Sequence, residues 1–374
     1  MKPIQSFVPY QVADAPPRKE MVYFSLLSSL LLKEQFGEVK LYTNESQLKY
    51  FEMFNFPYTE IDTKVLEGIN PTVFSFPKMY AMRDMKESYI HFDMDSFLLK
   101  PIDFDSKKDL PYYFAHPDFE LNKIKLGKNW NKNLHKLTDD PTFKKFYNSY
   151  LRFYLEVLVG LNPTPKDFHI SRMNVEHIPN YALVGVNYPE GMKEAIDKAF
   201  LVYEGIKEYC DRFWYSACFI EQFCITHYLR DDLEFAKTFH EKDFYNTPFM
   251  FTGEMNLFGD ASFKEIKFPA TIHHKTFCNE CYSEHVKTIR YNNPEHFSNK
   301  LPFDEYQFIH LTGNSKYYDY IQARIIATIV KRFGEHRVKN VYEKFLRYDK
   351  GLSPGEKLYE KLSGNKLFSK KSLV

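Results

Sequence analysis

Ser88 to Pro101 read SYIHFDMDSFLLKP, a short apolar run that ends in two aspartates, Asp93 and Asp95, spaced by one residue. Tyr89, Ile90 and Phe92 have the composition of a buried strand, and Phe97, Leu98 and Leu99 resume the apolar pattern before Pro101 stops it. Two carboxylates therefore stand at a strand end. In an open α/β sheet, ligands bind outside the carboxyl ends of the strands, so acids placed there face a crevice and can hold a hard divalent cation. Aspartate is also a common turn residue, so a solvated turn between two strands is the alternative.

Outward from this stretch the pattern is strand, helix, strand. Ile4–Val8 reads as a strand, the proline-rich 9–17 segment as a loop, and a helix begins near Arg18, with Met21, Phe24, Leu27, Leu31 and Phe36 on one face and Gly37 as its cap. Val39–Tyr42 is a strand, Thr43 or Asn44 caps a helix through Phe54, Tyr58–Ile61 is a third strand, and Lys78–Met85 is a helix leading into the aspartate strand. This alternation predicts an α/β fold with a mostly parallel sheet and crossover helices.

Further along, Pro111–Ala115 and Asn180–Asn187 (NYALVGVN) read as strands, and Phe143–Leu158 keeps the spacing of an amphipathic helix. Helices follow over Glu190–Ile206 and Asp211–Leu229. The second carries Glu221 and Gln222 inside the apolar run WYSACFIEQFCI, where polar groups are costly unless they face a site or solvent. Phe308–Leu311 is a late strand, helices run from about Tyr317 and from His336 to Arg347, and the tail beyond Gly351 reads as loose. No linker splits the chain, so residues 1–316 form one catalytic-type domain and 317–374 a helical extension with a basic tail packed on it.

Composition narrows the function. The chain has 374 residues and a formal charge of +1, so no global field recruits nucleic acid. From Lys331 onward 12 Lys plus Arg face 5 Asp plus Glu. That excess reads as a solvated helix face and tail, with weak contact to an anionic inner membrane face as the alternative. Five cysteines are few and odd in number, which points to a reducing, cytoplasmic setting. The apolar run Met21–Leu32 is too short to span a bilayer. Cys278 and Cys281, with His274 and His285 nearby, make a lone CxxC that is either a zinc site or a pair of reduced thiols.

Neither GxGxxG nor the Walker loop occurs, nor does HExxH. A cation must then do the phosphate-cradling work. His310, Gly313 and Lys316 spell HxxGxxK at a strand end. An imidazole beside two carboxylates shifts a site from Mg2+ toward Mn2+, the glycine allows close backbone approach, and the lysine offers a charge to a diphosphate.

On IQSF, FDMD, NYALVGVN and HLTGNSK, the chain resembles nucleotide-sugar-dependent glycosyltransferases of the GT-A fold, a Rossmann-like α/β/α sandwich with C-terminal helices. It is most similar to the retaining, glycogenin-like and lipopolysaccharide galactosyltransferase-like group and to uncharacterised bacterial relatives, a resemblance that implies work on bacterial surface polysaccharide. The resemblance implies Asp93, Asp95 and His310 as ligands of Mn2+ or Mg2+, Gly313 and Lys316 as diphosphate contacts, and Asn180 near the sugars. By position it places Ser6, Lys78 and Arg83 toward the nucleotide donor, and Glu221 and Gln222 across the site, with Glu221 as base if the reaction inverts. The partners implied are a nucleotide sugar, UDP-linked by preference, and a glycan or glycolipid acceptor. Tyr317 and Tyr318 stand where the family has Pro-Trp, and His310 follows Asp95 by 215 positions. A sugar nucleotidyltransferase, or a non-catalytic carbohydrate- or protein-binding module with a decayed site, is the alternative.

Overall fold

The computed structural model describes residues 1–8, 17–69, 73–105, 108–120, 177–210, 219–229, 249–252, 301–304, 308–311, 315–346 and 351–368. The expected helix 143–158, the cysteines at 278 and 281 with their histidines, and Gly313 lie outside the described residues.

The N-terminal third alternates as its sequence requires: β1 (Lys2–Ser6), α1 (Lys19–Phe36), β2 (Lys40–Tyr42), α2 (Glu45–Met53), β3 (Glu60–Asp62), α3 (Phe76–Asp84) and β4 (Tyr89–Phe92). Gly37 ends α1 in the left-handed region (φ 74°), its N–H bonded to the Lys33 carbonyl, a conformation that residues with a Cβ resist. Asn44 caps α2 by accepting the Gln47 N–H at 3.1 Å. Beyond β4 come β5 (Ser96–Leu98), β6 (Tyr112–Glu120), β7 (His177–Val186), α4 (Pro189–Cys210) and a π-helical segment (Phe219–Cys224) that runs into the short helix α5 (Ile225–Tyr228). They are followed by β8 (Phe249–Thr252), β9 (Phe308–Leu311), a 3-10 turn (Ser315–Tyr317), α6 (Asp319–Phe333), α7 (Glu335–Leu346) and α8 (Pro354–Ser363).

Among the described residues the main sheet has the order β3-β2-β1-β4-β7-β6. The first four strands are parallel, and β7 runs against both β4 and β6. The sheet is therefore mostly parallel, as expected. Side chains alternate across it. On one face Gln5 donates to Ser28 of α1 at 2.9 Å, while Ile90, Phe92, Tyr113 and Leu183 pack with Leu32. On the other, Tyr42 donates to Asp84 at the end of α3, and Tyr181 bonds Thr226 of α5. Helix α3 packs on α4 through Phe76 and Tyr203, whose rings meet edge-on at 4.6 Å. The layers are α/β/α. Gly185 in β7 lies under the Tyr113 ring, where an added Cβ would stand 1.8 Å from its Cζ, so only glycine fits.

One expectation fails here. Residues 351–368, expected as part of a loose tail, form α8 and its flanks, docked on α6 and on the start of α1. Ser353 and Glu356 make a reciprocal capping box with Pro354 in the first turn. Fully buried Glu356 then accepts from Lys19 Nζ at 2.9 Å and from Tyr23 Oη at 2.6 Å. Lys19 also donates to the Gly351 carbonyl at 3.1 Å. At Gly355 an added Cβ would lie 2.4 Å from Gln322 Cβ, so the two helices touch backbone to side chain. Tyr359, Leu367 and Phe368 join the core that α1 forms with α6 and α7.

Two outcomes follow from this packing. Glu356→Ala strands the Lys19 charge and the Tyr23 hydroxyl in the core, so urea titration should show a loss of about 3–5 kcal/mol. Burial pushes the phenols of Tyr23, Tyr58, Tyr89, Tyr113 and Tyr181 well above the usual tyrosine range. Below pH of about 10 both states keep these protons; above it the unfolded chain releases them first, so stability falls with rising pH. Unfolding free energies from denaturant titrations at pH 8 and pH 11 should therefore differ by more than about 1.4 kcal/mol, the contribution of one such tyrosine over that range, and a flat profile contradicts this.

Candidate metal and donor site

The site grows from the turn between β4 and β5. Asp93 N–H donates to the Ala182 carbonyl of β7 at 2.8 Å, and Ser96 N–H closes the turn on the Asp93 carbonyl at 3.0 Å. From there β5 leaves the main sheet and pairs antiparallel with β9 in a second sheet, with Ser96 opposite His310. Leu311 N–H donates to the Asp95 carbonyl at 2.9 Å, which fixes His310 beside Asp95. Beneath the turn a buried chain of hydrogen bonds runs from Tyr58 to Gln5, from Gln5 to Ser28 and from Ser28 to the Ser96 carbonyl. The turn is thus held by β7, β9 and α1 at once.

This scaffold gathers Asp93, Asp95 and His310 so that one ligand atom from each lies within 4.8 Å of the others. His310 Nε2 stands 3.8 Å from Asp95 Oδ1. Two lysines flank the cluster. Lys78, in the first turn of α3, places Nζ 2.8 Å from Asp93 Oδ1, 2.6 Å from Glu221 Oε1 and 3.1 Å from the Tyr181 carbonyl. Lys316, in the 3-10 turn, pairs with Asp95 and lies 5.5 Å from the centroid of the Phe24 ring. Gln322 of α6 fixes that turn by donating to the Lys316 carbonyl.

The charges follow from these contacts. Burial pushes Asp93 up, and neighbouring Asp95 adds to this against the pull of Lys78. Burial acts the same way on Asp95, but Lys316 and His310 outweigh it and hold that carboxyl below its ordinary value. Desolvation would lower Lys78, yet Asp93 and Glu221 overcome it and push the ammonium up, and Asp95 does the same for Lys316. Both lysines are charged. Two carboxylates and an imidazole form a donor set suited to a divalent cation that accepts nitrogen as well as oxygen.

Of the residues singled out from sequence, the structure brings Asp93, Asp95, His310, Lys78, Lys316 and Glu221 together. Gln222 is buried beside Glu221 in the π-helical segment, a distortion that recurs at functional sites. Ser6 ends β1 with its hydroxyl 3.0 Å from Nε2 of His91. Asn180 sits on β7 two positions before Ala182, opposite His116 of β6. Arg83 stands apart: it is half exposed at the far end of α3 and pairs with Asp197 of α4. The residue missed is His91, buried in β4 behind Asp93. Its signal was present, a histidine inside an otherwise apolar strand and two positions from Asp93.

The sequence over residues 17–110 matches a family of unknown function, DUF6734. No curated protein matches the chain. Among solved structures it is similar to mouse xyloside xylosyltransferase 1 in its apo form, with a TM-score of 0.36 and 11% identity over 84% of this chain and 98% of that one. Among the described residues no helix is long and apolar enough to cross a membrane.

The double pairing of Lys78 is testable. Lys78→Met leaves Asp93 and Glu221 facing each other without their shared cation, so the urea midpoint should report a loss of about 3 kcal/mol. Lys78→Met combined with Glu221→Gln should recover part of that loss; equal stability of wild type and single variant would show that the pairing carries no energy.

Proposed function

We propose that this chain is a divalent-metal-dependent glycosyltransferase that moves a sugar from a nucleotide diphosphate donor, UDP-linked by preference, to a hydroxyl of a glycan or glycolipid. The observation that carries this reading is the meeting of Asp93, Asp95 and His310 within 4.8 Å at the carboxyl end of β4. That edge of a parallel sheet is where ligands of open α/β folds bind. In this reading residues 1–316 form the catalytic body and 317–374 the helices that buttress it.

Asp93, Asp95 and His310 would hold Mn2+, or Mg2+ with less preference because of the imidazole. When bound, the cation neutralises the two phosphates and the charge that grows on them as the sugar departs. Lys316 adds a second cation on the same side. Its charged ammonium exchanges Asp95 for the diphosphate when donor enters, an interaction that strengthens as the leaving group becomes more negative. Lys78 keeps Asp93 and Glu221 from repelling each other and fixes the Asp93 carboxylate in the turn. Glu221 is bound to Lys78 at 2.6 Å, so its carboxylate is already engaged by a cation. That supports the retaining course, which needs no protein base, over an inverting one with Glu221 as base.

Calorimetry decides the matter: wild type should bind UDP in the presence of Mn2+ and not in its absence, and Asp95→Ala should weaken the metal-dependent binding by tenfold or more, about 1.4 kcal/mol. Binding of UDP that ignores Mn2+, or no binding of any nucleotide, would overturn the reading.

A further inference from the structure

His91 has no part in the function proposed above, and its setting is unusual. It is fully buried in β4, one residue removed from Asp93, on the sheet face that carries α3. Its Nε2 meets the Ser6 hydroxyl at 3.0 Å. Its Nδ1 is buried without a hydrogen-bond partner among the described residues and faces Asp93 Oδ1 at 3.8 Å. A buried imidazole nitrogen left without a partner is costly unless another state of the site engages it.

The tautomer follows from what each nitrogen faces. A neutral imidazole carries one N–H and one lone pair. Were the proton on Nε2, the Nδ1 lone pair would confront the Asp93 carboxylate in a dry environment, two acceptors face to face. With the Ser6 hydroxyl donating to Nε2, the proton sits on Nδ1 and points at Asp93. From 3.8 Å, a carboxylate shift of about 1 Å completes the hydrogen bond.

We propose that His91, oriented by Ser6, is a positioning residue for Asp93: its Nδ1–H takes hold of the carboxylate when a divalent cation draws Asp93 away from Lys78. The proposal rests on the metal-binding reading of Asp93, Asp95 and His310, and it moves Ser6 from the nucleotide to the support of a metal ligand. Donors behind ligating carboxylates orient them, and losing one lowers metal affinity about 10–100-fold. Lys78 and His91 then divide the work. The lysine balances Asp93 when no cation is bound, and the histidine holds it when one is.

The test uses the full chain and Mn2+ alone, with affinity from calorimetry or from the electron paramagnetic resonance of free Mn2+, and folding checked by circular dichroism. His91→Phe should weaken Mn2+ binding about tenfold or more. His91→Asn, whose amide nitrogen can occupy the place of Nδ1, should stay within a few-fold of wild type. Ser6→Ala, at the edge of the site and less apt to disturb folding, should weaken binding a few-fold and add nothing to His91→Phe. Long-range proton–nitrogen spectra of histidine-labelled protein should show His91 protonated on Nδ1 in wild type and as a tautomer mixture in Ser6→Ala. An Nε2–H tautomer in wild type, or Mn2+ affinities of Ser6→Ala and His91→Phe equal to wild type while Asp95→Ala loses binding, would overturn the role of His91 alone. A wild type that takes up no Mn2+ would overturn this role and the metal site together.

Discussion

The arrangement depends on the pairing of β5 with β9. The two strands are far apart in sequence, and their register sets Ser96 opposite His310. A strand's side chains alternate, so a slip of one residue would turn His310 to the opposite face and replace it with Ile309 or Leu311, neither of which can bind a cation. The register is held on both sides of the acids: Leu311 N–H bonds the Asp95 carbonyl, and Ser28 of α1 bonds that of Ser96. Hence the first helix, two sheets and the turn between them converge on one imidazole and two carboxylates.

Gathering three carboxylates in a partly buried crevice is expensive, because burial and mutual repulsion both favour protonation. The chain answers with Lys78 and Lys316, each seated on a different element and each pairing a different aspartate. The result separates the two acids in character, Asp93 pushed up and Asp95 held down. A site built this way is prepared to trade a lysine contact for a metal or phosphate contact without leaving a bare charge behind. That exchange is the physical content of the function proposed for it.

The C-terminal helices belong to the same construction. Helix α6 begins directly after the turn that carries Lys316, and Gln322 ties the two together. Helix α8 is pressed against Gln322 through Gly355 and locked to α1 by the Lys19–Glu356 pair. Packed side chains therefore connect α8 to the turn that carries Lys316. That buried ion pair breaks expensively when one partner is lost.

The sequence by itself determined the alternation of strands and helices, because apolar spacing and caps such as Gly37 and Asn44 act locally. It also marked the two acids, the HxxGxxK segment and the buried Glu221, because charges in apolar surroundings are conspicuous. Only the tertiary structure decided that Lys78 belongs with Asp93 and Glu221 while Arg83 turns to Asp197. Both residues lie on the same short helix, and which end faces the crevice depends on how α3 lies on the sheet. The structure likewise decided that α8 is ordered and that His91 stands behind Asp93. The Lys19–Glu356 pair of α8 joins residues hundreds of positions apart, and Ser6 and His91 sit on separate strands brought together by register, so no local pattern records those contacts.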